Sequence, residues 1–173
     1  YGTDLGVASH SHLARALWSL GFPEQALQHS QAARTLAEEV AHPYSLAMAL
    51  FYAAQVHQCR REVRAAHAQA AAAMTLATEQ GFFAERVAWG TVLHGWALAM
   101  QGQGEAGIAE IRQGLAAELA TRSTLYQPYF LGLLAEAYGA GGHPDEGLHA
   151  LAEARAVLDT TEVRDYAAEL SRL

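Results

Sequence analysis

The chain has 173 residues, 51% of them hydrophobic, and a formal net charge of −7, a balance that fits a globular core and opposes binding along a nucleic-acid backbone. All eleven basic residues are Arg, so a phosphate-loop lysine, a Schiff base and a lysine general base are excluded. The lone Cys59 rules out an internal disulfide and fits a reducing cytoplasm, and with no apolar run of about 18 residues and no leader-like start, nothing is expected to span a membrane or direct export. Apolar spacing and breakers predict helices at 7–20, 23–40, 44–60, 62–80, 83–101, 104–120, 127–140, 144–158 and 162–173. Pro23 and Pro144 stand at first-turn positions, where a missing N–H costs nothing, and Glu24 and Asp145 complement the helix dipole there. His42-Pro43 stops the second helix and Gly81 the fourth. The segment from Thr121 to Gln127 is the longest connection and the expected flexible joint. No stretch alternates with period two, so the fold class expected is all-α.

The turns recur in register. Gly21-Phe22-Pro23-Glu24-Gln25-Ala26-Leu27, Gly102-Gln103-Gly104-Glu105-Ala106-Gly107-Ile108 and Gly142-His143-Pro144-Asp145-Glu146-Gly147-Leu148 align, and a degenerate copy starts at Arg60. The spacings of 39, 42 and 40 residues indicate a solenoid. Seven residues before each turn residue stand Ala14, Ala53, Gly95 and Ala135. Five after it stand Ala26, Ala65, Gly107 and Gly147, and twelve after it Ala33, Ala72, Gly114 and Ala154. Small residues are expected there because helices of one hairpin, and of the next, must approach closely.

This order of small, bulky, Gly and Pro positions resembles the tetratricopeptide repeat (TPR), stretched from its usual length of about 34 residues. The segments Leu17-Trp18-Ser19-Leu20-Gly21, His42-Pro43-Tyr44-Ser45-Leu46-Ala47, His57-Gln58-Cys59-Arg60-Arg61-Glu62, Glu79-Gln80-Gly81-Phe82 and Gly95-Trp96-Ala97-Leu98-Ala99 further resemble the C-terminal repeat region of bacterial class III adenylate/guanylate cyclase proteins that carry a predicted signal-transduction (STAND/AAA) ATPase module. The resemblance runs over essentially the whole chain. It implies an α-solenoid of antiparallel hairpins, a TPR-like right-handed superhelix of four hairpins plus a partial fifth. The expected repeats cover roughly 7–43, 44–82, 83–126, 127–160 and a partial 161–173 within a single domain 1–173. A start at Tyr1 and an end at Leu173 within an amphipathic stretch point to a piece of a longer protein.

In TPR-like arrays the first (A) helix of each hairpin lines the concave face, the second (B) helix the outside. Carried onto this sequence, the resemblance places Ser11, Arg15, Trp18, Leu50, Ala54, His57, Gln58, Trp89, Val92, Trp96, Met100, Tyr129 and Glu136 on that face. Arg15, Trp18, His57, Gln58, Trp89, Trp96, Tyr129 and Glu136 are the candidate partner-binding groove, in which rigid Trp side chains would anchor a peptide, or else pack between helices. Arg60, Arg61 and Arg64 form the chain's basic cluster, either a solvated turn capping helix ends or an anion or partner contact.

Nine histidines give no metal pattern: no pair has i, i+4 spacing, no HExxH occurs, and no metal or cofactor is expected. His57 on an A helix is either a hydrogen-bonded structural histidine or a groove contact, which would then be pH-sensitive. No nucleophile, base and orienting group come together, so the chain is not expected to be an enzyme. The function implied is a protein-interaction or regulatory module, binding a protein or peptide partner, including other domains of its own polypeptide. The alternative is an effector-sensing domain of an ATPase-linked transcription activator. Self-association through exposed array ends is a further expectation.

Overall fold

A computed structural model of the chain describes residues 2–82, 84–121, 125–160 and 170, without the side chains of 84 and 85. Among these, every regular element is helical: α1 (Leu5–Ser19), α2 (Pro23–Glu39), α3 (Pro43–Cys59), α4 (Val63–Glu79), α5 (Ala84–Met100), α6 (Gly104–Ala120), α7 (Gln127–Ala140) and α8 (Pro144–Thr160). The expected helices are thus found to within about two residues at each end. The ninth, at 162–173, and positions 122–124 of the expected joint fall outside the described residues.

The helices share one punctuation. Gly21, Ala41, Arg61, Gly81, Gly102 and Gly142 all adopt positive φ, about 20 residues apart as far as Gly102 and 40 from there to Gly142. Each follows a helix end and lets the next N–H reach back, as Phe22 N does to Leu17 O at 2.8 Å and His143 N to Tyr138 O at 2.9 Å. Helix starts are equally marked: Pro23, Pro43 and Pro144 open α2, α3 and α8. Asp4 accepts from Val7 N at 3.0 Å, while its own N–H donates to Ser45 Oγ at 2.8 Å and ties α1 to α3.

One expectation needs correction. The turn residue of the second copy is Arg61, with φ of 61°, rather than Arg60, which is still right-handed at −73°. The spacings become 40, 41 and 40, and the small positions shift to Ala54, Ala66 and Ala73 in that repeat. All three are buried, whereas Ala65 is half-buried and Ala72 exposed. Close approach is the reason for smallness: a Cβ on Gly107 would stand 2.6 Å from Ala99 N, and one on Gly114 would stand 2.8 Å from Ala88 O.

Hairpins α1–α2, α3–α4, α5–α6 and α7–α8 stack in order. Each A helix packs on the next A helix, α1 on α3, α3 on α5 and α5 on α7, while among the described residues no such close packing joins successive B helices. The A helices therefore form the inner layer of a curved α-solenoid. One large core runs from Tyr44 to Ala154, and a smaller cluster of Val7, Ala33, Ala37 and Ala49 joins the first hairpin to it. No helix among the described residues is long and apolar enough to cross a membrane.

Candidate functional site: the inner face of the array

With the corrected register, equivalent inner positions fall into columns. Arg15, Gln55, Trp96 and Glu136 share one; Ala8, Met48, Trp89 and Tyr129 another; His12, Tyr52, Leu93 and Leu133 a third. In the last three repeats these side chains meet each other across the array. Phe51 of α3, Trp89 of α5 and Tyr126 at the start of α7 form a cluster with ring centroids 4.5 to 5.5 Å apart. Helices two repeats apart also bond directly: Tyr129 Oη donates to Gln58 Oε1 at 2.8 Å, and the Tyr52 and Tyr126 hydroxyls meet at 2.9 Å. The curvature is tight enough that α3 reaches α7, and the space expected to be a groove is filled with side chains.

The sequence-predicted residues accordingly separate. Trp89 is 4% exposed and Trp96 fully enclosed, and Gln58, Tyr129, Val92, Leu50 and Ala54 are buried too. Trp18 and Arg15 on α1 remain partly exposed, as does Met100. Ser11 is enclosed, and among the described residues its Oγ makes no hydrogen bond. His57 lies one position off the inner columns. Its Nδ1 sits 2.5 Å from Glu62 Oε2, so it closes its own turn.

The basic cluster also divides. Arg60 Nε donates to Glu62 at 2.8 Å and its Nη1 to Glu24 at 2.9 Å and Pro23 O at 3.2 Å, lacing the first two turns together. Burial pushes the Glu62 carboxyl up, but the hydrogen bonds from Arg60 and His57 outweigh it and hold the group below its ordinary value. Arg61 crosses the inner face and pairs through both Nη atoms with Glu136 of α7, the Nη2 bond measuring 3.0 Å. Trp96 Nε1 donates to Glu136 Oε2 at 2.9 Å. A guanidinium and an indole N–H thus converge on one carboxylate that is 8% exposed, a charge-assisted arrangement of the stronger kind. Arg64 stays exposed.

Sequence reasoning missed Tyr52, Tyr126, Glu62 and Arg86. Only Tyr126 carried a signal, as an aromatic residue just before Gln127-Pro128 at a helix start. The histidines pair across neighbouring helices instead of gathering round a metal: the His10 and His29 Nδ1 atoms are 2.8 Å apart, and His67 lies against His94 with centroids at 4.4 Å while His94 Nδ1 meets Glu110 at 2.6 Å. Among the described residues no group of three or more His, Cys, Asp or Glu is placed to hold a metal ion.

Solved structures with this architecture are TPR-like repeat proteins. The apo form of RapI superposes with a TM-score of 0.69 at 11% identity, over 95% of this chain. A Podosopora anserina protein assigned as a kinesin light chain, with nearly identical TPR-like repeats, gives 0.63 at 18% identity over 90% of this chain and 76% of its own. A single-substitution variant of that protein gives 0.63 at 17%, over 92% and 79%. The fold is TPR-like. The chain spans 60% of the length of RapI. No family model and no curated protein matches the sequence.

Proposed function

We propose that the chain is a single, non-catalytic repeat domain that recognises a protein partner through its first hairpin, as a regulatory segment of a larger bacterial signalling protein of the cyclase- or ATPase-linked type. The observation that carries this is the asymmetry of the inner face. The column Arg15–Gln55–Trp96–Glu136 is sealed from Gln55 onward and partly exposed at Arg15, with Trp18 one turn further on the same helix. Leu5, Leu13, Leu20 and Phe22 of the same hairpin are exposed as well, which favours a contact there. The same surface supports self-association when no partner is present. An effector sensor of the activator type needs an enclosed ligand chamber, and the interior between α3 and α7 is packed with aromatic rings instead.

Calorimetric titration tests the proposal, using the catalytic or ATPase domain encoded in the same reading frame and the chain in wild-type and Arg15→Ala/Trp18→Ala forms. Saturable binding that weakens at least about tenfold in the double variant supports it, the loss expected when an Arg and a Trp anchor are truncated. Absent binding, or equal binding by both forms, overturns it.

A further inference from the structure

One face of α1 sets it apart from the other A helices. At about 100° per residue, Leu5, Ser9, Leu13, Ala16 and Leu20 fall within about 80° of one another, a stripe about 22 Å long opposite the buried Val7, Ser11 and Ala14. All five are exposed, Leu5 by 83%, Leu20 by 70% and Leu13 by 43%. In the register of the inner columns their equivalents lie at the seams between repeats. Ala49 of α3 joins Ala33 and Ala37 of α2, a Cβ on Gly90 of α5 would stand 2.5 Å from Met74 Cγ of α4, and Phe130 and Ala137 of α7 are fully buried. The stripe is thus the helix-binding face that every later repeat covers, left uncovered on the first hairpin.

Two features point to a second copy of this chain as the helix that covers it. The first is symmetry, for the stripe reads large, small, large, small, large about its midpoint. If two α1 helices run antiparallel about a two-fold axis beside Leu13, Leu5 meets the partner subunit's Leu20 and Ser9 meets the partner subunit's Ala16. Small opposite small lets the backbones approach, and the leucines fill the space on either side. Ser9 and Ala16, like Leu13 and Leu20, are seven residues apart, the spacing that keeps two helices in register. The seams inside the array lack this symmetry: the first and last equivalents are Ser45 and Arg60 on α3, and Arg86 and Gln101 on α5. The second feature is charge. At −7 two copies repel on average, but α1 contains no acidic residue and none of the five stripe residues ionises. Ser9 Oγ donates to Leu5 O at 2.7 Å, so covering it strands no hydroxyl proton.

We propose that the chain forms a two-fold dimer through antiparallel α1 helices. This rests on the reading of the first hairpin as a contact surface and names one occupant for it. The three leucines leave about 350 Å² of side chain open on each copy, nearly half of the roughly 800 Å² that a standard interface takes from one partner, so the dimer belongs to the weaker, micromolar class. Trp18 lies roughly opposite the stripe on the helix and Arg15 about 120° from its centre, so pairing needs neither of them.

The test is sedimentation equilibrium of the full chain between about 1 and 500 μM, in wild-type and Leu13→Glu forms, with circular dichroism to establish that the variant folds. The expected result is a monomer–dimer equilibrium whose dissociation constant rises at least about tenfold in Leu13→Glu, which brings two carboxylates together at the axis. Cross-linking reads the geometry. In a Cys59→Ser background, a short bismaleimide should join Leu5→Cys protein to Leu20→Cys protein, while Leu5→Cys alone should stay uncoupled because its two copies lie about 22 Å apart. Arg15→Ala/Trp18→Ala protein should dimerise like the wild type, so loss of partner binding and loss of the dimer are read separately. A monomer at every concentration, assembly beyond the dimer, an unchanged dissociation constant in folded Leu13→Glu, or equal cross-linking of Leu5→Cys alone overturns the proposal.

Discussion

Arg61 carries two opposed effects that substitution can separate. Its φ of 61° lies where the other three hairpin turns use glycine, and a side chain in that conformation costs about 1 kcal/mol or more. Against this, its guanidinium bonds through two nitrogens to Glu136, whose carboxylate is 8% exposed while Arg61 itself is 41% exposed. An exposed ion pair is worth little, but taking a charge-assisted donor away from a nearly buried carboxylate costs about 1–3 kcal/mol. Arg61→Ala keeps the strained backbone and loses the bridge, so it should destabilise by about 2 kcal/mol. Arg61→Gly loses the bridge but relaxes the turn, and the greater freedom of glycine in the unfolded chain returns part of that gain, leaving a net loss of about 1 kcal/mol. Urea denaturation followed by circular dichroism measures both, and at about 2–4 °C per kcal/mol for a chain of this size the two variants should also separate in Tm. A double-mutant cycle of Arg61→Ala with Glu136→Gln should show a coupling of about 1 kcal/mol between residues 75 positions apart. If Arg61→Ala is as stable as Arg61→Gly, the backbone argument fails. If the coupling is nil, Arg61 does not hold the α3–α4 turn to α7.

Three further outcomes follow from particular contacts. Gly107→Ala should destabilise by about 1–3 kcal/mol, because the new Cβ meets backbone atoms of Gly95 and Ala99 that cannot move independently. Gly139→Ala, in the last turns of α7 with nothing within 4 Å of a Cβ, should stabilise by up to about 1 kcal/mol, and similar melting temperatures for the two variants would contradict the packing account. Burial, and then the neighbouring His94, hold the His67 imidazole below its ordinary value of 6.5, with Glu110 opposing them in part. The unfolded chain therefore takes up a proton that the folded chain resists, so stability is fully present above about pH 6.5 and falls as the pH drops through that value toward the folded pKa. His67→Gln should flatten that slope in urea midpoints measured between about pH 5.5 and 8, and an unchanged slope would remove His67 as its source.

The helices were legible because proline and glycine punctuate this sequence strongly: Pro23, Pro43 and Pro144 open helices, and Gly21, Gly81, Gly102 and Gly142 close them. The second repeat was misregistered for a definite physical reason. Ala53-Ala54, Ala65-Ala66 and Ala72-Ala73 are adjacent pairs, so a filter for small residues accepts either of two registers, and only the left-handed backbone of Arg61 decides between them. That one-residue step moves His57 off the inner columns and adds Gln55, while Gln58 stays there, as the bond from Tyr129 to Gln58 shows. The radius of the array was not legible at all. It follows from small rotations accumulated over three hairpins, and whether Arg61 meets Glu136 or faces an open channel depends on that sum and not on any local pattern. Placing Trp18, Trp89 and Trp96 on the inner layer was therefore compatible with two opposite environments, and tight curvature gave the last two the interior.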